Sequence, residues 1–165
     1  MATEIERKFR VIGETWRQQA GSGKSYRQGY LSAAPERTVR VRTVNNDQGF
    51  VTIKGKTVGS RRSEFEYAIP YAEAQEMLDT LCLRPLIEKT RYRIPHAGLV
   101  WEIDEFGGDN SGLVVAEVEM TDENQPLEAP DWIGKDVTED PRYYNANLVA
   151  CPFSQWHSAA AEAVQ

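Results

Sequence analysis

Carboxylates and cations recur two residues apart along this chain, and that spacing is where its chemistry is concentrated. Glu4, Glu6 and Lys8 form one such run. Others are Arg40 with Arg42, Thr52 with Lys54, Arg62 with Glu64 and Glu66, Lys89 with Arg91 and Arg93, Glu102 with Asp104, and Glu117 with Glu119. Glu4, Glu6, Asp104, Glu117 and Glu119 would present hard oxygen ligands of the kind that take Mg²⁺ or Mn²⁺ alongside water and substrate phosphates. Lys8, Arg40, Arg42, Lys54, Arg62, Lys89 and Arg91 would spread along a chain of phosphates, the arginines as bidentate forks and the lysines as point charges. Phosphoryl transfer asks mainly for positioning and charge neutralisation, so such a set needs no side-chain nucleophile. The sequence has no GxxxxGK[ST] loop, no GxGxxG, no HExxH and no GxSxG. That narrows the chemistry to a metal-assisted reaction or to anion binding.

These side chains need a frame that holds them together. Short runs rich in Val, Ile, Thr, Phe and Tyr, separated by Gly, Pro, Asn or Asp, predict eight antiparallel strands, over residues 3–11, 25–33, 37–45, 49–55, 61–69, 86–94, 99–106 and 113–120. Asn45–Gly49 and Gly107–Gly112 have the composition of hairpin turns. Tyr71–Leu83 carries Ala74, Met77, Leu78 and Leu81 at helical spacing between Pro70 and Pro85, which predicts a helix dividing five strands from three. A shorter helix is expected near Thr15 and another over Tyr143–Ala150. Residues 1–157 read as one domain and residues 158–165 as a C-terminal tail.

Alternate residues of a strand share a face. On seven of the eight strands the charged residues lie on one face and Val, Ile, Phe, Tyr or Trp on the other. The solvated side of a half-exposed sheet would explain one such strand. Solvated faces, however, mix Thr, Ser, Gln and Lys, whereas here nearly every slot is charged and like signs gather on one strand. Arginine beside arginine and glutamate beside glutamate cost energy, which an anion on the basic set and divalent cations on the acidic set would offset. Eight antiparallel strands suffice to close a barrel around one small ligand. The charged face would then be a lumen. The outward apolar face would be covered by the Tyr71–Leu83 helix, by the C-terminal segment or by a partner subunit.

In EIERKF near the start, the chain resembles the E-x-E-x-K signature of the CYTH superfamily, the triphosphate tunnel metalloenzymes. That superfamily includes class IV adenylyl cyclases, thiamine triphosphatases and inorganic triphosphatases. RQGYL (27–31), VRVR (39–42), TIKG (52–55), RSEFEY (62–67), EKTRY (88–92), EIDEF (102–106), VAEVE (115–119) and DVTEDPRYYN follow in matching order. The resemblance implies a mainly β (α+β) fold, a closed eight-stranded antiparallel barrel with a few flanking helices, holding a triphosphate lengthwise for metal-dependent hydrolysis or cyclisation. It implies metal binding by Glu4, Glu6, Glu117 and Glu119, with Asp104 and Glu64 joining, and about two Mg²⁺ or Mn²⁺ ions with substrate bound. Lys8, Arg40, Arg42, Lys54, Arg62, Lys89 and Arg91 fall on its phosphate-binding positions. Tyr30 matches a tunnel-mouth position, with barrel packing as the alternative. Glu66 and Glu102 are alternatively partners of neighbouring arginines.

Composition agrees with a soluble globular chain: 165 residues, 41% hydrophobic, 27% charged and a formal net charge of −6, which disfavours a general nucleic-acid or anionic-membrane surface. No apolar run reaches the roughly 18–20 residues of a membrane-spanning helix, and the charged start MATEIERKF lacks a secretory core. A cytoplasmic protein is expected, with a homodimer through the outward apolar faces left open. Cys82 and Cys151 read as buried apolar thiols, and His96 and His157 as surface or capping residues. The near-absence of insertions resembles short bacterial members acting on inorganic tripolyphosphate. An adenylyl cyclase would also need a base site, and a thiamine triphosphatase an aromatic clamp. A non-catalytic polyphosphate or nucleotide receptor would gain nothing from the concentrated carboxylates.

Overall fold

A computed structural model describes residues 3–156. Among the described residues there are nine strands: β1 (Thr3–Val11), β2 (Lys24–Ala34), β3 (Arg37–Val44), β4 (Gln48–Gly55), β5 (Arg61–Ile69), β6 (Ile87–His96), β7 (Leu99–Phe106), β8 (Val114–Glu119) and β9 (Ile133–Asp136). Two α-helices join them, α1 (Tyr71–Thr80) and α2 (Asn145–Ala150). The eight expected strands form to within a few residues. β9 was not expected, because four residues containing Gly134 carry too short a pattern to read.

Every pairing is antiparallel, in the order β5-β4-β3-β2-β6-β7-β8-β1-β9, and β5 also pairs with β1. That last contact closes a ring of eight strands, as expected. The seam is short, with Thr3 opposite Ser63, Glu4 opposite Arg62 and Ile5 opposite Arg61. Where β5 ends, β9 takes over the same edge of β1: the Glu6 amide donates to the Ser60 carbonyl, and two residues on, the Lys8 carbonyl accepts from the Val137 amide. The ninth strand thus satisfies backbone groups that the barrel would otherwise leave open at its seam.

Turn residues set the register. Asn45 and Asn46 both adopt positive φ between β3 and β4, a conformation asparagine tolerates. The two-residue turn from β6 to β7 places Ala97 at φ 51 before Gly98. An alanine there carries the Cβ clash that glycine avoids.

Two apolar clusters lie outside the lumen and a third fills one end of it. Ile5, Phe9, Trp101, Ile103, Ala116 and Val118 point outward from β1, β7 and β8 and are covered by Trp16 and Trp132. Trp16 comes from the short segment near Thr15, which is a 3₁₀ turn, Thr15–Gln18. On the opposite wall α1 lays Ala74 and Leu78 against Val41. It can approach because β4 has Gly49, where a Cβ would meet the Ala74 Cβ at 2.8 Å. The helix stops at Thr80, not Leu83, because the Leu83 amide donates to the Tyr30 carbonyl and draws the chain back to β2.

The third cluster lies inside one end of the barrel, where Tyr30, Ile87, Phe106, Leu113 and Val115 meet Tyr143, Leu148, Val149 and Trp156. The C-terminal segment therefore plugs the lumen and does not cover the outer face. It is a 3₁₀ turn, Pro141–Tyr143, followed by α2, not one helix from Tyr143, because Tyr144 is extended (φ −69, ψ 129). Cys82 is buried as expected, but Cys151, the C-terminal cap of α2, is exposed. His96 ends β6 beside the turn. No helix among the described residues is long and apolar enough to cross a membrane. His157 and the tail 158–165 lie outside the described residues.

Candidate functional site

The strand alternation sends the charged faces inward, around a cavity of about 440 Å³ in the barrel. Its wall includes Glu4, Glu6, Lys8, Tyr30, Arg40, Arg42, Lys54, Arg62, Glu64, Lys89, Arg91, Glu117 and Glu119, with Glu66 and Glu102. Of the expected site residues only Asp104 is absent from that wall.

The basic residues are held by the barrel itself. Lys8 donates from Nζ to the Tyr143 carbonyl at 2.9 Å and lies 3.5 Å from Glu117. Lys54 reaches Glu4 and Glu64, each at 3.2 Å. Arg40 donates to Thr52 Oγ1 at 3.1 Å, and Arg62 to the Gly55 carbonyl and to Thr38 Oγ1. Arg42 has only a 3.7 Å approach to Glu66, while Arg91 contacts Glu102 at 3.2 Å. Glu66 and Glu102 thus do pair with arginines. Burial, with the charges of Arg40 and Arg91, brings Arg42 down to about 10.

Asp104 has a different place from the one expected. It is fully buried behind the wall, where it accepts from Lys89 Nζ at 2.8 Å and from Arg91 Nε and Nη2 at 2.7 and 2.9 Å. Burial opposes its charge, but Arg91 and Lys89 hold its carboxyl below the usual range. With its oxygens accepting from Lys89 and Arg91, it orients two cations of the wall. Lys89 also donates to Asn145 Oδ1 at 3.4 Å, and burial, despite the pull of Asp104, brings it down to about 8. Tyr30 is 5% exposed and packs in the plug cluster, its hydroxyl taking a bond from Gln28 Nε2 at 3.2 Å, while it also lines the cavity.

The carboxylates carry opposite electrostatic signatures. Burial disfavours charge on Glu117, yet Lys8, Arg91 and Lys89 hold it well below the usual carboxylate range. Burial, then the charges of Glu117 and Glu4, push Glu6 well above that range. Glu4 and Glu119 are raised as well, each first by burial. Glu6 lies directly opposite Glu119, and Glu102 opposite Glu117. Among the described residues no Lys or Arg comes within 4.0 Å of the Glu6 carboxylate. Like charges opposed across a sheet destabilise it, so Glu4, Glu6, Glu117 and Glu119 suit a divalent cation. Among the described residues no three such groups already converge on one point. Mg²⁺ needs only one or two carboxylates when water and substrate phosphate complete its shell.

Some of the wall was not foreseen. Lys56, Thr138, Tyr144 and Asn145 line the cavity, the last three from the plug segment that the sequence showed only as DVTEDPRYYN. Tyr26, which was not foreseen either, stands behind the wall beside Arg42 and Arg91 and alternates along β2 with Gln28 and Tyr30.

An antiparallel barrel whose lumen interleaves cations with carboxylates, two of which, Glu6 and Glu119, have no cation within 4.0 Å among the described residues, has the charge pattern of a class of protein that holds a polyanion together with divalent metal. This chain belongs to the CYTH domain family, which it matches over residues 2–150. It is 50% identical over 156 residues to an inorganic triphosphatase of Acetivibrio thermocellus, covering 94% of this chain and 99% of that one. It is 38% identical over 153 residues to an inorganic triphosphatase of Nitrosomonas europaea, covering 88% and 96%. A crystal structure of an inorganic triphosphatase superposes with a TM-score of 0.61 at 34% identity, covering 90% of this chain and 95% of that one.

Proposed function

We propose that this protein is a divalent-metal-dependent triphosphatase that hydrolyses inorganic tripolyphosphate to pyrophosphate and phosphate within the barrel. One observation carries the reading: the lumen opposes Lys8, Arg40, Arg42, Lys54, Arg62, Lys89 and Arg91 to carboxylates of which Glu6 has Glu119, not a cation, across from it. The cations bind the phosphate oxygens. Their side chains are preset by Thr52, Thr38, Asp104 and the Tyr143 carbonyl, so little order is lost when substrate enters. The plug at Tyr143–Val149 closes one end and bounds the length of anion accommodated. Glu4, Glu6, Glu117 and Glu119 would hold the metal, and Glu64, which shares Lys54 with Glu4 at 3.2 Å each, would join them. Bound there, Mg²⁺ or Mn²⁺ would neutralise phosphate charge and act as a Lewis acid on the phosphoryl oxygens. Lys89, held by Asp104 at 2.8 Å and by Asn145, adds its charge to the phosphate-binding wall. The reading places the enzyme in the cytoplasm, where the free thiols Cys82 and Cys151 stay reduced.

Phosphate release from tripolyphosphate, with Mg²⁺ or Mn²⁺ added and then chelated and with ATP and pyrophosphate assayed alongside, tests this. Rapid metal-dependent release from tripolyphosphate and little from the others is expected. Turnover of ATP alone, or none of any substrate, would overturn it.

A further inference from the structure

Tyr26 sits between two arginines of the tunnel wall without itself reaching the cavity. Its ring centroid lies 4.7 Å from the Arg42 guanidinium carbon and 5.1 Å from that of Arg91. The two cations are anchored very differently. Arg91 is fixed by the two-pronged grip of buried Asp104 at 2.7 and 2.9 Å. Arg42 has no such grip: its Nε is buried without a hydrogen-bond partner among the described residues, and its one carboxylate neighbour, Glu66, is 3.7 Å away. Gln28, directly opposite Arg42 on β2, does not supply the missing bond, since its buried Oε1 is also unpartnered. What remains to set the Arg42 plane is the face of Tyr26, and the face of an aromatic ring attracts a guanidinium most strongly where water is excluded.

We propose that Tyr26 is a positioning residue for substrate binding, a ring that spaces Arg42 from Arg91 and passes the fixed position of the Asp104–Arg91 pair on to Arg42. The ring does a second service, since two guanidiniums gathered in a largely buried wall repel one another and its electron-rich face offsets part of that repulsion. The consequence is a pair of forks preset at one spacing for successive phosphate oxygens. This rests on the triphosphatase reading above, and it makes the ring, not the hydroxyl, the working part.

Tyr26→Leu and Tyr26→Met remove the ring, whereas Tyr26→Phe keeps it. KM and kcat for tripolyphosphate hydrolysis with saturating Mg²⁺ are measured beside the Kd of tripolyphosphate for the metal-free protein, with thermal melting as a control for folding. The Leu and Met variants are expected to raise KM and Kd about tenfold with kcat little changed, and Tyr26→Phe to stay within about twofold of wild type. Unchanged KM and Kd in Leu and Met would overturn the proposal. So would a Tyr26→Phe loss equal to that of Leu, which would assign the effect to the hydroxyl, or unfolding of both aliphatic variants, which would assign the ring to packing alone. If wild type fails to hydrolyse tripolyphosphate, the triphosphatase reading falls, and the Kd series still decides the role of Tyr26.

Discussion

Replacing Glu6 by glutamine should make the metal-free protein more stable and the enzyme nearly inactive, a combination that follows from one cause. Glu6 faces Glu119 across the β1–β8 ladder, and its carboxyl is raised well above the usual range by burial and by Glu117 and Glu4. Without metal, that corner of the barrel is frustrated. Opposed like charges cost about 0.2–1 kcal/mol per pair. Relief from several neighbours should bring about 1 kcal/mol, or about 2–4 °C in Tm for a chain of this size. The same substitution takes a carboxylate from the metal-facing set, at a cost of about 3 kcal/mol in the transition state, so kcat should fall about 100-fold.

The pH dependence has a definite sign. A carboxyl whose folded pKa is raised lets the folded state keep a proton that the unfolded chain has lost, between the ordinary value of 4.5 and the raised one. Through that window stability falls as pH rises. Metal-free wild type should therefore lose stability from these groups as pH rises above about 4.5, glutamine should reduce the loss, and Mg²⁺ should restore stability at the upper end. The assays are melting in EDTA across that range and Mg²⁺-dependent phosphate release. A Glu6→Gln protein that melts lower in EDTA and turns over at the wild-type rate would refute the reasoning.

Lys8→Ala and Arg40→Ala each remove a charged donor to phosphate and should raise KM for tripolyphosphate by about 10- to 100-fold, read from saturation curves. Asp104→Asn strips a buried partner from Lys89 and Arg91, which should cost about 3–5 kcal/mol in urea unfolding while leaving the Mg²⁺ concentration for half-activity unchanged; a raised Mg²⁺ requirement at full stability would instead make it a ligand. Ala97→Asn places a residue tolerant of positive φ in the β6–β7 turn and should add about 1 kcal/mol to unfolding stability without altering turnover.

The two-residue spacing of Arg40 with Arg42 and of Glu117 with Glu119 was enough to place those side chains in a lumen, because strand alternation is a local property and survives whatever the tertiary partners are. The faces of β1, β6, β7 and β8 were legible for the same reason. Asp104 was not, since alternation gives a side and not a depth: only the assembled barrel shows Lys89 and Arg91 closing over it. The plug was hidden in a different way. Tyr143–Ala150 has an apolar stripe that suits the outside of a barrel as well as the inside, and its insertion depends on Phe106, Leu113 and Val115 lining that end of the lumen. β9 exists because the β1–β5 seam is short, a property of two distant segments that neither one encodes alone.

The central claim is that one lumen holds phosphates on its basic wall and metal on Glu4, Glu6, Glu117 and Glu119. A crystal of the Glu6→Gln protein would weaken the metal site, so the direct measurement is anomalous diffraction from wild-type crystals soaked with Mn²⁺ and tripolyphosphate. The account predicts manganese peaks against those glutamates, with phosphate density running between them and Arg40, Arg42 and Arg91. Manganese bound elsewhere, or tripolyphosphate outside the barrel, would contradict it.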